Sequence, residues 1–500
     1  MSRRSTRSRP TRAVDYIGLR HPFAPQPVFS EESVARLHEA ALGLLERQGM
    51  RILLPEARAV LAAAGARTED EMVFIGRDIV AEALRTAPRA WRLRAANPAR
   101  ERMYAPGEAL FGPGSGCPNV TDRLRGRRAG SLETFNETLT LHQAFDVIHI
   151  LGPSAEPQDV PPALRHLAMM EGQLTRADKP VFVYARGREQ VEQSLEAIRV
   201  GLALDEADWS DGVWAYTVIN SNSPRQLDRP MAQGIIDFAR AGQMAVITPF
   251  CLAGAMAPVT VAGALVLQHA EALAGIALSQ MARPGAPVSF GGFSSNVDMK
   301  SGAPAFGTPE HVKMQLGSGQ LARHIGLPWR SASGSAANVA DMQAAQETTM
   351  ALWGAMLAQA TLTVHAAGWL EGGLAFGYEK FIADVEVLQM LAEMCRPVGA
   401  DEDDLGLDAL AEVAPGGHFF ATAHTMARYG TEFYPPLLAD LSNHGTWVAA
   451  GAQDAAERAT AIWQKALAET PRPAHAGEAS ERLAPWLEAR RAAGGAAPLD

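Results

Sequence analysis

From residue 30 to about residue 95 the apolar positions recur at helical spacing. In VARLHEAALGLLERQG they fall three and four apart, Ser30-Glu-Glu-Ser stands ahead as a start signal, and Gly49 follows the last turn as a stop. Two more helices are predicted over 55–64 and 78–85, so residues 26–105 read as an N-terminal helical cap. Beyond it the rhythm changes. Short apolar runs rich in β-formers stand at 109–112, 146–151, 180–184, 213–219, 244–250, 286–290, 328–332 and 360–365, each with an amphipathic stretch behind it. From the second run onward their starts lie roughly 32 to 42 residues apart, the length of a strand, a loop, a helix and a return. Eight such units are the arithmetic of an α/β fold of the (β/α)8 TIM-barrel type, placed over 106–395. A doubly wound open sheet is the alternative, and it would leave two strands over.

The flanks read differently. Residues 1–25 open with five arginines in a dozen positions and no apolar stretch, which predicts a disordered basic tail and not a secretory signal. Residues 396–470 follow the last unit and must pack on the barrel as a C-terminal helical extension. The Ala-, Arg- and Pro-rich segment 471–500 reads as a frayed end.

Composition narrows the function. With 47% apolar and 20% charged residues, the 500-residue chain can bury a large core. A net charge of −10 argues against a nucleic-acid partner. Cys117, Cys251 and Cys395 are too few and too scattered for a disulfide scaffold or a cysteine-rich metal site, and they suit a reducing, cytoplasmic compartment. No apolar run is long and uninterrupted enough to predict a membrane span.

In a barrel the chemistry sits where the strands end. There the chain offers Asn220 and Asn222, Phe250, Phe293, then His365 followed by Gly-Trp369-Leu-Glu371-Gly-Gly. This rim is rich in small, neutral hydrogen-bonding and aromatic residues and poor in charge. Aromatic faces and a carboxylate are the parts that hold a quaternary ammonium group. Each residue also has a plainer reading. His365 can be a satisfied structural histidine, Trp369 rim packing, Glu371 a salt-bridge partner, and the two asparagines turn residues ahead of Pro224. Asp298 and Lys300 could form an acid–base pair, but a loop ion pair is the simpler reading. No metal-ligand spacing is present, and only Cys251 and His365 stand at strand ends as candidates for one.

At these residues the chain resembles the trimethylamine:corrinoid methyltransferases, in the branch without pyrrolysine that includes glycine betaine:corrinoid methyltransferases. The resemblance runs over roughly residues 25 to 470 and is carried by VINSNSP (218–224), PVTVAGALVLQHAEALAGIALSQMARPGAPVSFG (258–291), HAAGWLEGGLAFGYEKFIADVE (365–386) and GGHFFATAHT with TEFYPPL (416–437). It implies a TIM barrel that moves a methyl group from a methylated amine, glycine betaine first, to the Co(I) corrinoid of a separate corrinoid protein, with no cofactor held by the chain itself. Asn220 and His365 match the family's substrate-contacting positions and are the expected catalytic residues. Phe250, Phe293, Trp369, Glu371 and Asn222 are the expected substrate-binding set. The family usually reads Asn-Pro-x-Ser-Pro where this chain has Asn220-Ser-Asn222-Ser-Pro224, a departure beside the substrate. Alternatives are a zinc-dependent corrinoid methyltransferase and a barrel that only binds quaternary amines. A homo-oligomer is compatible with the fold.

Overall fold

The structure, a computed structural model, describes residues 15–499. The first 14 residues of the expected basic tail lie outside the described residues. Residues 15–25 do not behave as a free tail: Leu19 is buried, the His21 N–H donates to Gly107 O, and His21 Nε2 lies 2.8 Å from Ala360 O.

The three N-terminal helices span Glu31–Arg47, Pro55–Ala63 and Arg77–Thr86, the first starting three residues ahead of the apolar stretch that predicts it and the other two within a residue of the predicted bounds. Ser30 Oγ accepts the Ser33 N–H at 3.2 Å, and Gly49, at φ +65°, returns its N–H to Leu44 O. The region is not wholly helical. Strands of three residues, Met50–Ile52, Arg67–Glu69 and Met72–Phe74, form a small sheet, and Trp91–Leu93 pairs with Arg102–Tyr104. Three residues are too few for an alternating pattern to show in sequence. The first and third helices pack on Val261–Ala282, which is buried on several sides between the barrel and this outer layer. That double burial explains a 22-residue helix apolar enough to cross a bilayer by composition, yet 78% buried over its most apolar window.

Seven strands pair in parallel in the order Leu110–Phe111, Leu362–Val364, Trp329–Ala332, Val288–Gly291, Met244–Ile247, Ala215–Ile219, Val181–Phe182. Each lies inside a predicted run or within one residue of it. The second run, 146–151, is not a regular strand, but it occupies the remaining gap. His149 N–H donates to Phe111 O at 2.9 Å, and Leu151 N–H donates to Pro180 O at 3.0 Å. The His149 ring takes over part of the ladder, its Nδ1 accepting the Phe111 N–H. The Lys179 ammonium, fully buried, donates to the carbonyls of His142, Phe145 and Ile148. A side-chain clip thus closes the ring where backbone pairing alone does not, and the chain forms a TIM barrel.

The end of the chain corrects a second expectation. Residues 471–500 carry a helix, Ala476–Ala492, that packs on Pro162–Arg176 and Arg188–Leu202. Ala479, Leu483 and Leu487 repeat every four residues and are buried, an apolar stripe hidden in sequence among alanines, arginines and Pro485. Beyond it Leu499 N–H donates to Arg186 O.

Candidate active site

At the C-terminal ends of the strands lies a cavity of about 610 Å³. Asn220, Phe250, Phe293, His365 and Trp369 all line it, so five of the seven predicted site residues share one hollow. Ser115, Glu156, Tyr184, Tyr216, Ser221 and Arg330 add polar groups to the wall.

One wall is aromatic. The His365 and Trp369 rings stack 4.4 Å apart at 20°, Phe293 lies 5.3 Å from His365 and 5.7 Å from Trp369, and Phe250 lies 4.8 Å from Phe293. The Trp369 indole can lie there because two neighbours lack a side chain. A Cβ on Gly334 would come within 2.1 Å of the ring and one on Gly373 within 2.5 Å. The turn behind it is held from a helix: Asp384 accepts the Gly368 N–H at 2.8 Å, and Lys380 pairs with Asp384 while donating to Thr348 Oγ1.

His365 sits at φ +55°, an unusual conformation for a non-glycine residue. Its Nδ1 accepts the Ser115 N–H at 3.3 Å, which places the ring proton on Nε2. Burial and the nearby Arg330 cation hold its pKa well below the usual histidine value. It is therefore a neutral hydrogen-bond donor, not a cation. Asn220 donates one amide hydrogen to Thr248 O at 2.8 Å, leaving its oxygen for a ligand. The loop behind it is fixed by buried Glu271, which accepts from Ser221 Oγ, Ser223 Oγ and the Arg225 N–H.

Two predicted residues belong elsewhere. Asn222 spends its side chain on Asp228, accepting that residue's N–H at 2.9 Å and donating to its carboxylate at 3.1 Å, so it closes a turn ahead of the helix Arg229–Ala241. Glu371 takes a two-pronged ion pair from Arg127 at 2.9–3.1 Å and does not line the cavity. Its charge is already balanced. Asp298 accepts from the backbone N–H groups of Lys300 and Ser301 and from Ser301 Oγ in a loop turn, which is neither an acid–base pair with Lys300 nor the expected loop ion pair. Cys251 lies 3.3 Å from Ser223 Oγ with its thiol pushed well up by burial and Glu271. Among the described residues no three histidine, cysteine or acidic side chains are grouped as metal ligands.

The residue that sequence reading passed over is Arg330. It lies on the strand Trp329–Ala332, is 1% exposed, and its Nε and Nη1 are buried without a hydrogen-bond partner. The guanidinium carbon stands 5.2 Å from the centre of the Phe293 ring. Burial lowers its pKa to about 9, and the polar neighbours acting on it are Tyr104 and Tyr216. The acidic group that lines the cavity, Glu156, is held by Arg165 at 2.9 Å and Arg186 at 2.8 Å. A buried cation without a counter-charge is costly, and an anion that enters the cavity relieves that cost.

The fold and the hollow define a TIM-barrel scaffold with a cavity for a small molecule at the C-terminal ends of its strands. The chain matches the family described as trimethylamine methyltransferase (MTTB) over residues 1–495 and belongs to it. It is 34% identical to a glycine betaine methyltransferase of Desulfitobacterium hafniense (strain Y51), covering 93% of this chain and 97% of that protein. It is 28% identical to the trimethylamine methyltransferase MttB of D. hafniense (strain DSM 10664 / DCB-2), over 86% and 87% of the two chains. Among solved structures, the Methanosarcina barkeri monomethylamine methyltransferase (MtmB) superposes with a TM-score of 0.52 over 89% of each chain at 10% identity, a likeness of fold.

Proposed function

We propose that this chain moves a methyl group from a carboxylated quaternary amine, glycine betaine first, to the Co(I) corrinoid of a separate corrinoid protein. The single observation that carries the choice of substrate is Arg330, a buried guanidinium with no acidic partner in a cavity that has one aromatic wall. A bare cation such as choline would meet that charge unshielded, whereas a betaine brings a carboxylate to it. The 34% identity to a glycine betaine methyltransferase agrees with this choice.

The parts then fall into roles. Arg330 takes the carboxylate, and the His365 Nε2–H adds a second donor. Phe250, Phe293 and Trp369 offer their faces to the ammonium group. The oxygen of Asn220 faces the polarised N-methyl groups. In the reaction the N–CH3 bond breaks with both electrons left on nitrogen, and the carbon bonds to the electron pair of the cobalt acceptor. The leaving group is a neutral tertiary amine, so no proton has to be supplied, which suits a histidine that stays neutral. The chain's own contribution is to aim one methyl group outward and keep water from the reduced acceptor.

The test is a substrate panel with reduced free cobalamin. Glycine betaine or another carboxylated quaternary amine should be demethylated, while choline and trimethylamine should give at most a few per cent of that rate. Equal turnover of choline would contradict the role of Arg330. Tight betaine binding without methylcobalamin would leave a binding barrel, not a transferase.

A further inference from the structure

Glu271, on the helix Val261–Ala282, is 2% exposed, and the groups bonded to it are neutral. Its Oε2 accepts from Ser221 Oγ and from Ser223 Oγ at 2.6 Å, with Cys251 Sγ 3.9 Å away, and its Oε1 accepts the Arg225 N–H at 2.6 Å. The Arg225 guanidinium turns elsewhere, to Gln48 O and Gly49 O. Burial raises the Glu271 pKa, and its hydrogen bonds act against that rise. A buried carboxylate without a counter-charge is costly in the same way as the buried Arg330 cation without one.

The two charges act on different walls of one hollow. Arg330 lies within the strand Trp329–Ala332, and Ser221 lies just past the end of Ala215–Ile219, three places along the same sheet. Both line the cavity, Arg330 at the level of the strands and Ser221 at their C-terminal ends. Glu271 does not line it, and its influence passes through Ser221. A hydroxyl that gives its proton to a carboxylate has only lone pairs left for the cavity. Asn220, next in the chain, has likewise given an amide hydrogen to Thr248 O and keeps its oxygen for a ligand. Two adjacent residues thus offer oxygen acceptors, backed by a negative charge, across the hollow from an unpaired positive one.

We propose that Glu271 sets which way the substrate lies. It is a positioning residue that acts through Ser221 and draws the ammonium end to the strand ends, while Arg330 holds the carboxylate deeper in the barrel. The inference rests on the reading of the substrate as a carboxylated quaternary amine. The N-methyl hydrogens of such a cation carry its charge outward and meet oxygen lone pairs favourably. Charges and dipoles fixed beforehand cost no rearrangement when the ligand arrives. The same carboxylate also anchors the loop of Asn220 beside Cys251, so the test must separate an electrostatic role from a structural one.

The experiment compares two ligands of one shape on the full chain. Glycine betaine and 3,3-dimethylbutyrate share the carboxylate and the bulk, but a neutral carbon replaces the quaternary nitrogen in the second. Calorimetry gives the affinity of betaine directly and that of the isostere by displacement. Glu271→Gln keeps the side-chain shape and removes the charge. Its amide oxygen must still accept the Arg225 N–H, so its NH2 group faces the two serine hydroxyls and turns their protons away from it. The preference for betaine over the isostere should fall roughly 10- to 100-fold, with the isostere's own affinity within about twofold of the unaltered chain. Ser221→Ala, which removes the relay and leaves the helix untouched, should lower the preference by roughly three- to tenfold. An unchanged preference in either variant overturns the proposal. So does a loss shared equally by the two ligands, which would leave Glu271 a loop anchor. If Glu271→Gln does not fold, Ser221→Ala alone decides. If betaine does not bind the unaltered chain, it is the reading of the substrate that fails.

Discussion

The Arg330 guanidinium carbon lies 5.2 Å from the centre of the Phe293 ring, inside the barrel, with Nε and Nη1 unpartnered. A cation against an aromatic face is a mild attraction, and it does not offset the loss of water around a buried guanidinium. The pair makes sense as half of a site whose other half arrives with the ligand.

Replacement of Arg330 should therefore separate function from stability. A charge-assisted hydrogen bond contributes about 1.5–3 kcal/mol, so Arg330→Met should lower kcat/KM for glycine betaine by roughly 10- to 150-fold or more. Arg330→Lys keeps the charge but loses the fork and should fall between. Thermal melting of Arg330→Met should be unchanged or higher, because an unpaired buried charge is removed. Steady-state kinetics and a melting curve on the same preparations check both halves.

Trp369 offers a test of geometry. Ala at Gly334 would place a Cβ 2.1 Å from the indole at φ +124°, so the ring must move. Gly334→Ala should reduce kcat/KM about 10- to 100-fold, the scale of a small misplacement in a positioned site. Tryptophan fluorescence on betaine titration should shift relative to the unaltered protein. Trp369→Phe, which removes the collision partner, should be less sensitive to the same change at Gly334.

Barrel closure depends on a group that sequence reading did not single out. Lys179 satisfies three carbonyls beside the segment that replaces a regular second strand. Lys179→Met would remove a buried donor from all three carbonyls; Phe145 O keeps the Ile148 N–H, and each carbonyl left without a partner costs about 1–3 kcal/mol. The expected result is a melting temperature lower by well over 5 °C or loss of soluble protein. Arg188→Met, at the partly exposed pair with Asp237, should cost far less.

The barrel was legible because its strands are buried on both faces and so appear as short apolar runs, while its helices keep a stripe. The second strand was legible as a run yet not as a departure from regularity, since a histidine ring and a lysine stand in for backbone pairing only in three dimensions. In the site, Asn220 and His365 could be found from their place after apolar runs. Asn222 and Glu371 occupy equally suggestive positions, but their partners Asp228 and Arg127 are set by turns that spacing does not reveal. Arg330 did leave a signal. A charged residue inside PWRSA, an otherwise apolar strand, must face the barrel interior or be paired, and the structure shows it unpaired.

Acid should unfold the protein through its buried histidines. Burial holds His142 and His149 at about 3 and His311 at about 4. Each is free to take a proton at about 6.5 in the unfolded chain but not in the folded one. Below pH 6.5 the unfolded state thus binds more protons, and each such histidine removes about 1.4 kcal/mol of stability per pH unit until its folded value is reached. Melting temperature should fall steadily from pH 6.5 to pH 4. His142→Gln and His311→Gln, if soluble, should flatten that fall.

The most direct measurement mixes the purified chain, glycine betaine and cobalamin held as Co(I), and follows both products in the same vessel. Methylcobalamin and dimethylglycine should accumulate in equal amounts, with the rate lost in Arg330→Met. Folded protein that binds betaine yet forms neither product, or forms dimethylglycine without a methylated acceptor, would contradict methyl transfer as its function.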